Sequence, residues 1–89
     1  MKTTESDTPK RIGVVSVIVT DRSSQAPKVN AILSEHGDAV IGRMGLPYPP
    51  KKIQVISLIV HGTTDEIGAL TGKLGSLKGV QVKSALTKA

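Results

Sequence analysis

The chain is predicted to fold as an α+β, ferredoxin-like βαββαβ sandwich. Its antiparallel sheet would have order 4-1-3-2, with two helices on one face. Three observations predict this. Segments 12–20 and 53–60 are apolar on both parities, as central strands covered on both faces are. Segments 39–46 and 80–85 carry charged or amide residues and read as edges. A helical pattern lies between each strand pair, giving two β-α-β halves of like design. Right-handed crossovers then put strands one and three side by side in the middle, and they are read here as parallel. The second face of the sheet has nothing in the chain to cover it.

Strand one is residues 12–20, after a polar stretch punctuated by Pro9. Asp21 to Ser24 form a turn, with Ser24 as N-cap and Pro27 in the first turn, where its missing N–H does no harm. Helix one runs to about His36. Val29, Ile32, Leu33 and His36 share a face, and Gly37 stops the helix. Strand two, 39–46, is interrupted by Gly42 and Gly45 around Arg43, which read as a bulge in an edge strand ahead of the alternative, close approach of a ligand or another chain. Residues 47–52, PYPPKK, make a stiff hairpin loop, and strand three is 53–60. Thr63 and Glu66 have capping-box spacing at the start of helix two. Ile67, Leu70, Leu74 and Leu77 form its apolar stripe. Gly68, Gly72 and Gly75 form a second stripe roughly opposite, at about 1 kcal/mol each relative to alanine; it reads either as a side that something approaches closely or as a loosely selected solvent face, with Gly79 as an ordinary helix stop. Strand four is 80–85.

The 89 residues suffice for one domain, read as a flexible arm over 1–10 and a single domain over 11–89. Tyr48 is the only aromatic residue, so Val, Ile and Leu fill a thin core, which favours assembly with another copy. There is no cysteine, which removes disulfides and thiolate metal sites. The opening MKTTESDTPKR is no signal peptide, and the apolar runs fall far short of the ~20 residues that span a bilayer. A soluble, cytoplasmic protein is expected, without membrane attachment. The net charge of +5 comes from scattered lysines and arginines, never more than two in a row, and reads as a solvated surface rather than a nucleic-acid footprint.

No motif declares a chemistry. His61 reads as a loop residue, and His36 suits a helix C-terminus. Asp21, Asp38 and Asp65 suit turns or caps. The serines lack a nucleophile-elbow context. RNA-recognition domains share the topology but stack bases on aromatic residues of the central strands, which are missing here. No enzymatic activity, metal or cofactor is expected.

The segments RIGVVSVIVTDR, GRMGLP and IGALTGKLGSLKGVQVK resemble a family of small regulators that accompany iron-only hydrogenase maturation systems. The resemblance spans about residues 11–84. Members are similar in fold to ACT domains and to the C-terminal domain of nickel-responsive regulators. It implies an ACT-like protomer that assembles through its sheet and has a sensing or regulatory role. The histidine and cysteine metal set of the nickel-responsive regulators does not carry over, since this chain has His36, His61 and no cysteine. With about ten polar residues ahead of strand one, direct DNA binding is not expected; a role would pass through a partner protein.

With strands one and three parallel, both helix N-termini would point to one end of the sheet and favour an anion. The expected effector site is therefore Asp21, Arg22, Ser23 and Ser24 together with His61, Gly62, Thr63 and Thr64, with Asp38 near His61. A small carboxylate or phosphate-bearing metabolite would be held by backbone N–H groups and Arg22. Ile41 and Arg43, on one parity, are expected at a homo-oligomer contact, dimer or tetramer, through the open sheet face. The alternative is a structural interaction module with a protein partner and no small ligand.

Overall fold

The structure is a computed structural model that describes residues 9–88. The expected flexible arm thus lies outside the described residues, apart from Pro9 and Lys10. The elements are β1 (Arg11–Val19), α1 (Arg22–Glu35), β2 (Val40–Tyr48), a 3₁₀ turn (Pro49–Lys51), β3 (Ile53–Gly62), α2 (Thr64–Gly75) and β4 (Val80–Leu86). They build one four-stranded sheet of order β2-β3-β1-β4, the predicted arrangement.

Every neighbouring pair is antiparallel, β1 and β3 included. This corrects the parallel reading of the two central strands. The α1 crossover returns β2 in the direction of β1, and the hairpin then reverses β3. Arg11 pairs with Gly62 at one end of the β1–β3 ladder and Val19 with Gln54 at the other.

Side chains alternate across the sheet. Val15, Val17 and Val19 of β1, with Ile56, Leu58 and Val60 of β3, turn to the helices and are buried. They meet Val29 and Leu33 of α1 and Ile67, Leu70 and Leu74 of α2, so both helices cover one face as expected. The other parity lies uncovered. Ile12, Val14 and Ile59 are 40%, 49% and 48% exposed.

α1 begins three residues earlier than the sequence led us to expect. Asp21, not Ser24, occupies the N-cap position. Its carboxylate accepts from Ser24 Oγ at 2.6 Å and Ser23 Oγ at 3.4 Å. Pro27 therefore stands inside the helix, where it leaves the Ser23 carbonyl without its usual partner. Gln25, which the apolar pattern did not mark, is buried on the inner face beside Val29 and Leu33.

α2 has the predicted capping box. Thr63 Oγ1 accepts from Glu66 N at 3.1 Å, and Glu66 Oε1 accepts from Thr63 N at 2.7 Å. Its second stripe does not approach anything in the protomer: a Cβ built on Gly68, Gly72 or Gly75 meets no atom within 4 Å. The glycine that matters for the path of the chain is Gly79, with φ +76. Its carbonyl accepts both the N–H and the hydroxyl of Thr20, each at 2.9 Å, which ties the α2–β4 turn to the end of β1.

β2 runs on through Pro47 and Tyr48, which had been assigned to the loop. Pro47 is tolerated because β2 is an edge strand. The predicted bulge lies between Val40 and Gly42.

Candidate functional site

The antiparallel register divides the eight expected effector residues into two groups. Asp21, Arg22, Ser23 and Ser24 follow the end of β1. His61, Gly62, Thr63 and Thr64 lie at the end of β3, beside the start of β1. Eight steps of ~3.3 Å put about 26 Å of sheet between the two ends. The two helix N-termini therefore face opposite ends and cannot share a ligand.

The β3 end is occupied by structural work. Thr63 and Glu66 close the capping box, and a Cβ on Gly62 would lie 2.9 Å from Glu66 Oε1, so the glycine leaves room for that carboxylate. Hydrogen bonding from the Thr63 backbone N–H holds the Glu66 carboxyl below its ordinary pKa. Asp38 does lie near His61, as expected: both line one cleft of about 300 Å³, and His61 N donates to Ala39 O at 2.8 Å. Lys10, His36 and Glu35 share that cleft. Glu35 is already paired with Lys73 at 2.9 Å, which lowers its pKa. The mixed signs give the cleft no preference for an anion. Among the described residues, no group of three or more His, Asp or Glu side chains is arranged to hold a metal ion.

The β1 end is different. A cleft of about 140 Å³ opens between α1 and the β2–β3 hairpin, with Arg22 and Arg43 in its wall. Asn30 and Gln54 add carboxamides, and the buried Val29 and Ile56 supply an apolar base. No carboxylate lines it. Arg43 Nη2 donates to Asn30 Oδ1 at 3.0 Å, and no ion pair among the described residues involves either arginine. Guanidinium forks are the donors that planar carboxylates and phosphates accept from in two-point fashion, and here two of them stand beside neutral amides. Lys51 and Lys52 of the hairpin and Lys78 of the α2–β4 turn belong to the same end. Asp21 is the acidic residue there, and the Ser24 hydroxyl above all, then Ser23 and Lys78, holds its carboxyl below the usual aspartate value.

Arg43 is thus a correction and a residue that sequence reasoning misplaced. Sharing the parity of Ile41 was expected to put it on the open sheet face. The bulge inserts one residue, and a one-residue slip exchanges the faces. Val40 pairs with inward Val60, Gly42 with outward Ile59, and Arg43 with inward Leu58. The signal was present in Gly42, since a bulge before Arg43 reverses every parity beyond it. Ile41 itself is 59% exposed at the bulge. Beyond it, Met44, Leu46 and Tyr48 take the open face, opposite Ser57, Val55 and Ile53.

No curated protein sequence matches the chain. Among solved structures, the protein TM1266 from Thermotoga maritima is 34% identical, with a TM-score of 0.84 over 89% of this chain and 99% of that one. The ACT domain of the GTP pyrophosphokinase of Chlorobium tepidum has a TM-score of 0.69 at 15% identity, covering 85% and 86% of the two chains. The C-terminal domain of MgtC from Mycobacterium tuberculosis has a TM-score of 0.66 at 14% identity, covering 99% and 95%. Both likenesses are of fold alone, and the first, with the observed strand order, establishes an ACT-like, ferredoxin-like fold. No helix among the described residues is long and apolar enough to cross a membrane. The model of the TM1266-like family, described as "Iron-only hydrogenase system regulator, putative", matches residues 11–84, and the chain belongs to that family.

Proposed function

We propose that the chain is a non-catalytic, cytoplasmic regulatory module of ACT type, serving an iron-only hydrogenase system. It works as a homo-oligomer joined through the open sheet face and binds a small carboxylate or phosphate-bearing effector. The observation that carries this reading is the convergence of Arg22 and Arg43 on one cleft that no carboxylate lines. Asp21, Ser23 and Ser24 stay in the reading as the turn that positions Arg22 at the start of α1. His61, Gly62, Thr63 and Thr64 leave it, because the register carries them to the far end.

The test is a thermal-shift screen with inorganic phosphate and small carboxylates at millimolar concentration. A ligand at ten times its Kd stabilises the folded state by about 1.4 kcal/mol, roughly 6–11 °C for a domain of this size. Arg22→Ala and Arg43→Ala abolish the shift, and His61→Ala leaves it unchanged. If no anion raises the melting temperature, or if the shift ignores both arginines, the effector reading fails. The second reading, a structural interaction module for a protein partner without a small ligand, would then stand. It is favoured by the apolar open face, where Met44 is 68% exposed, and its stability would respond to protein alone.

A further inference from the structure

We infer that the effector held between Arg22 and Arg43 is a linear dianion, a short aliphatic dicarboxylate that carries no ammonium group. This rests on the anion reading proposed above and names the ligand class.

Arg22, Ala26 and Asn30 recur at intervals of four along α1, so they share the side of the helix that lines the cleft. Arg22 and Asn30 stand eight residues apart, about 12 Å along the helix axis. The sheet repeats this span. Gln54 pairs with Val19 and Pro47, at the end of the sheet from which α1 departs. Arg43 pairs with Leu58, four residues further along β3, or about 13 Å. β3 runs from Gln54 to Leu58 in the direction in which α1 runs from Arg22 to Asn30. The cleft therefore has two like ends. Arg22 and the Gln54 carboxamide form one. Arg43 and the Asn30 carboxamide form the other, fixed by the 3.0 Å hydrogen bond between them. Ala26, Val29 and Ile56 line the middle, where no polar side chain stands. Ala26 is half-buried, and its small side chain keeps that middle open.

Like charge keeps the two guanidinium groups at their own ends. Arg43 spends one of its five N–H groups on Asn30, which leaves a fork for a carboxylate. A single phosphate at one end would leave the other cation unpaired. A ligand with a carboxylate at each end answers both cations, and its methylenes cover the apolar middle. With a hydrogen bond of about 2.8 Å at each end, a span of about 12 Å leaves about 6 Å between the anionic groups. Glutarate and adipate have that reach, and malonate does not. The cleft volume of about 140 Å³ is less than half of the ~300 Å³ at which pockets for drug-sized ligands begin, so a nucleotide does not fit within it. Glutamate has two carboxylates of suitable spacing but adds an ammonium. No carboxylate lines the cleft to pair with that charge, and burying it unpaired is costly.

The experiment is an NMR titration of the ¹⁵N-labelled full chain with glutarate and adipate, set against pentanoate, malonate, glutamate and inorganic phosphate. The better of the two long dicarboxylates is expected to bind at least about tenfold more tightly than each comparison compound, since each of those loses a charged contact or adds an unpaired charge. The amides of Arg22, Ala26 and Asn30 are expected to shift together. Arg22→Gln and Arg43→Gln, at positions exposed in the protomer, are expected to bind glutarate no more tightly than pentanoate. Circular dichroism checks their folding, and the wild-type series decides alone if either is unfolded. If none of these compounds binds, the effector reading and this inference fall together. If pentanoate, malonate, glutamate or phosphate matches the better dicarboxylate, or if a folded arginine variant keeps the preference for glutarate, the anion reading stands and this inference alone is overturned.

Discussion

Replacing Gly68 and Gly72 by alanine tests whether the outer face of α2 is open in the working protein. Both residues are within the helix, and a Cβ at either meets nothing within 4 Å. The substitution therefore has no steric cost in the protomer. It removes backbone freedom from the unfolded chain, which stabilises by about 0.5–1 kcal/mol per site. The two sites are one helical turn apart and make no mutual contact, so their effects add. The double variant is expected to gain about 1–2 kcal/mol, or roughly 4–16 °C in melting temperature for a domain of this length. Differential scanning calorimetry over a range of protein concentrations measures this and separates protomer stability from assembly. No gain, or a loss that grows as the protein assembles, would refute the reasoning. It would mean that another chain comes within a methyl group of this stripe, as the glycine spacing first implied.

Leu74, fully buried between α2 and the sheet, anchors a second expectation. Leu74→Ala loses about 2–5 kcal/mol in urea titration, and Leu74→Asp does not fold, because its charge has no partner in the core; a cooperative near-wild-type melt of the latter would show that α2 presents a different face. For the capping box, Glu66 has a lowered folded pKa. Its contribution is therefore present above the ordinary glutamate pKa and lost as pH falls through the lower folded value. Urea midpoints of wild type and Glu66→Gln should differ at neutral pH and converge in acid, and a gap that ignores pH would contradict the assignment.

Much of this molecule follows from local patterns. The two-parity apolar runs identified the central strands, and period 3.6 identified which faces of α1 and α2 are buried, Leu70 and Leu74 among them. Capping chemistry placed the start of α2 correctly because Thr63 and Glu66 interact within one turn and need nothing else. Even the bulge was legible in Gly42. The start of α1 was less so. Ser24 and Asp21 are both good capping residues, and the backbone made the choice: Gln25 N–H donates to Asp21 O at 2.9 Å, which opens the helix at Arg22.

What the tertiary structure alone decided is which of the candidate residues meet. Alternation tells which residues share a face, but not which way the neighbouring strand runs. That direction follows from the count of reversals along the whole path, and it separated Asp21–Ser24 from His61–Thr64 by the length of the sheet. A single inserted residue at Ile41 then carried Arg43 from the open face to the helix face. Its meeting with Arg22 joins residues far apart in the chain, and no local periodicity records it. The sequence by itself determined the elements, their order and their buried faces, because these depend on interactions a few residues long. The cleft depends on register between strands, a relation that exists only once the sheet has formed.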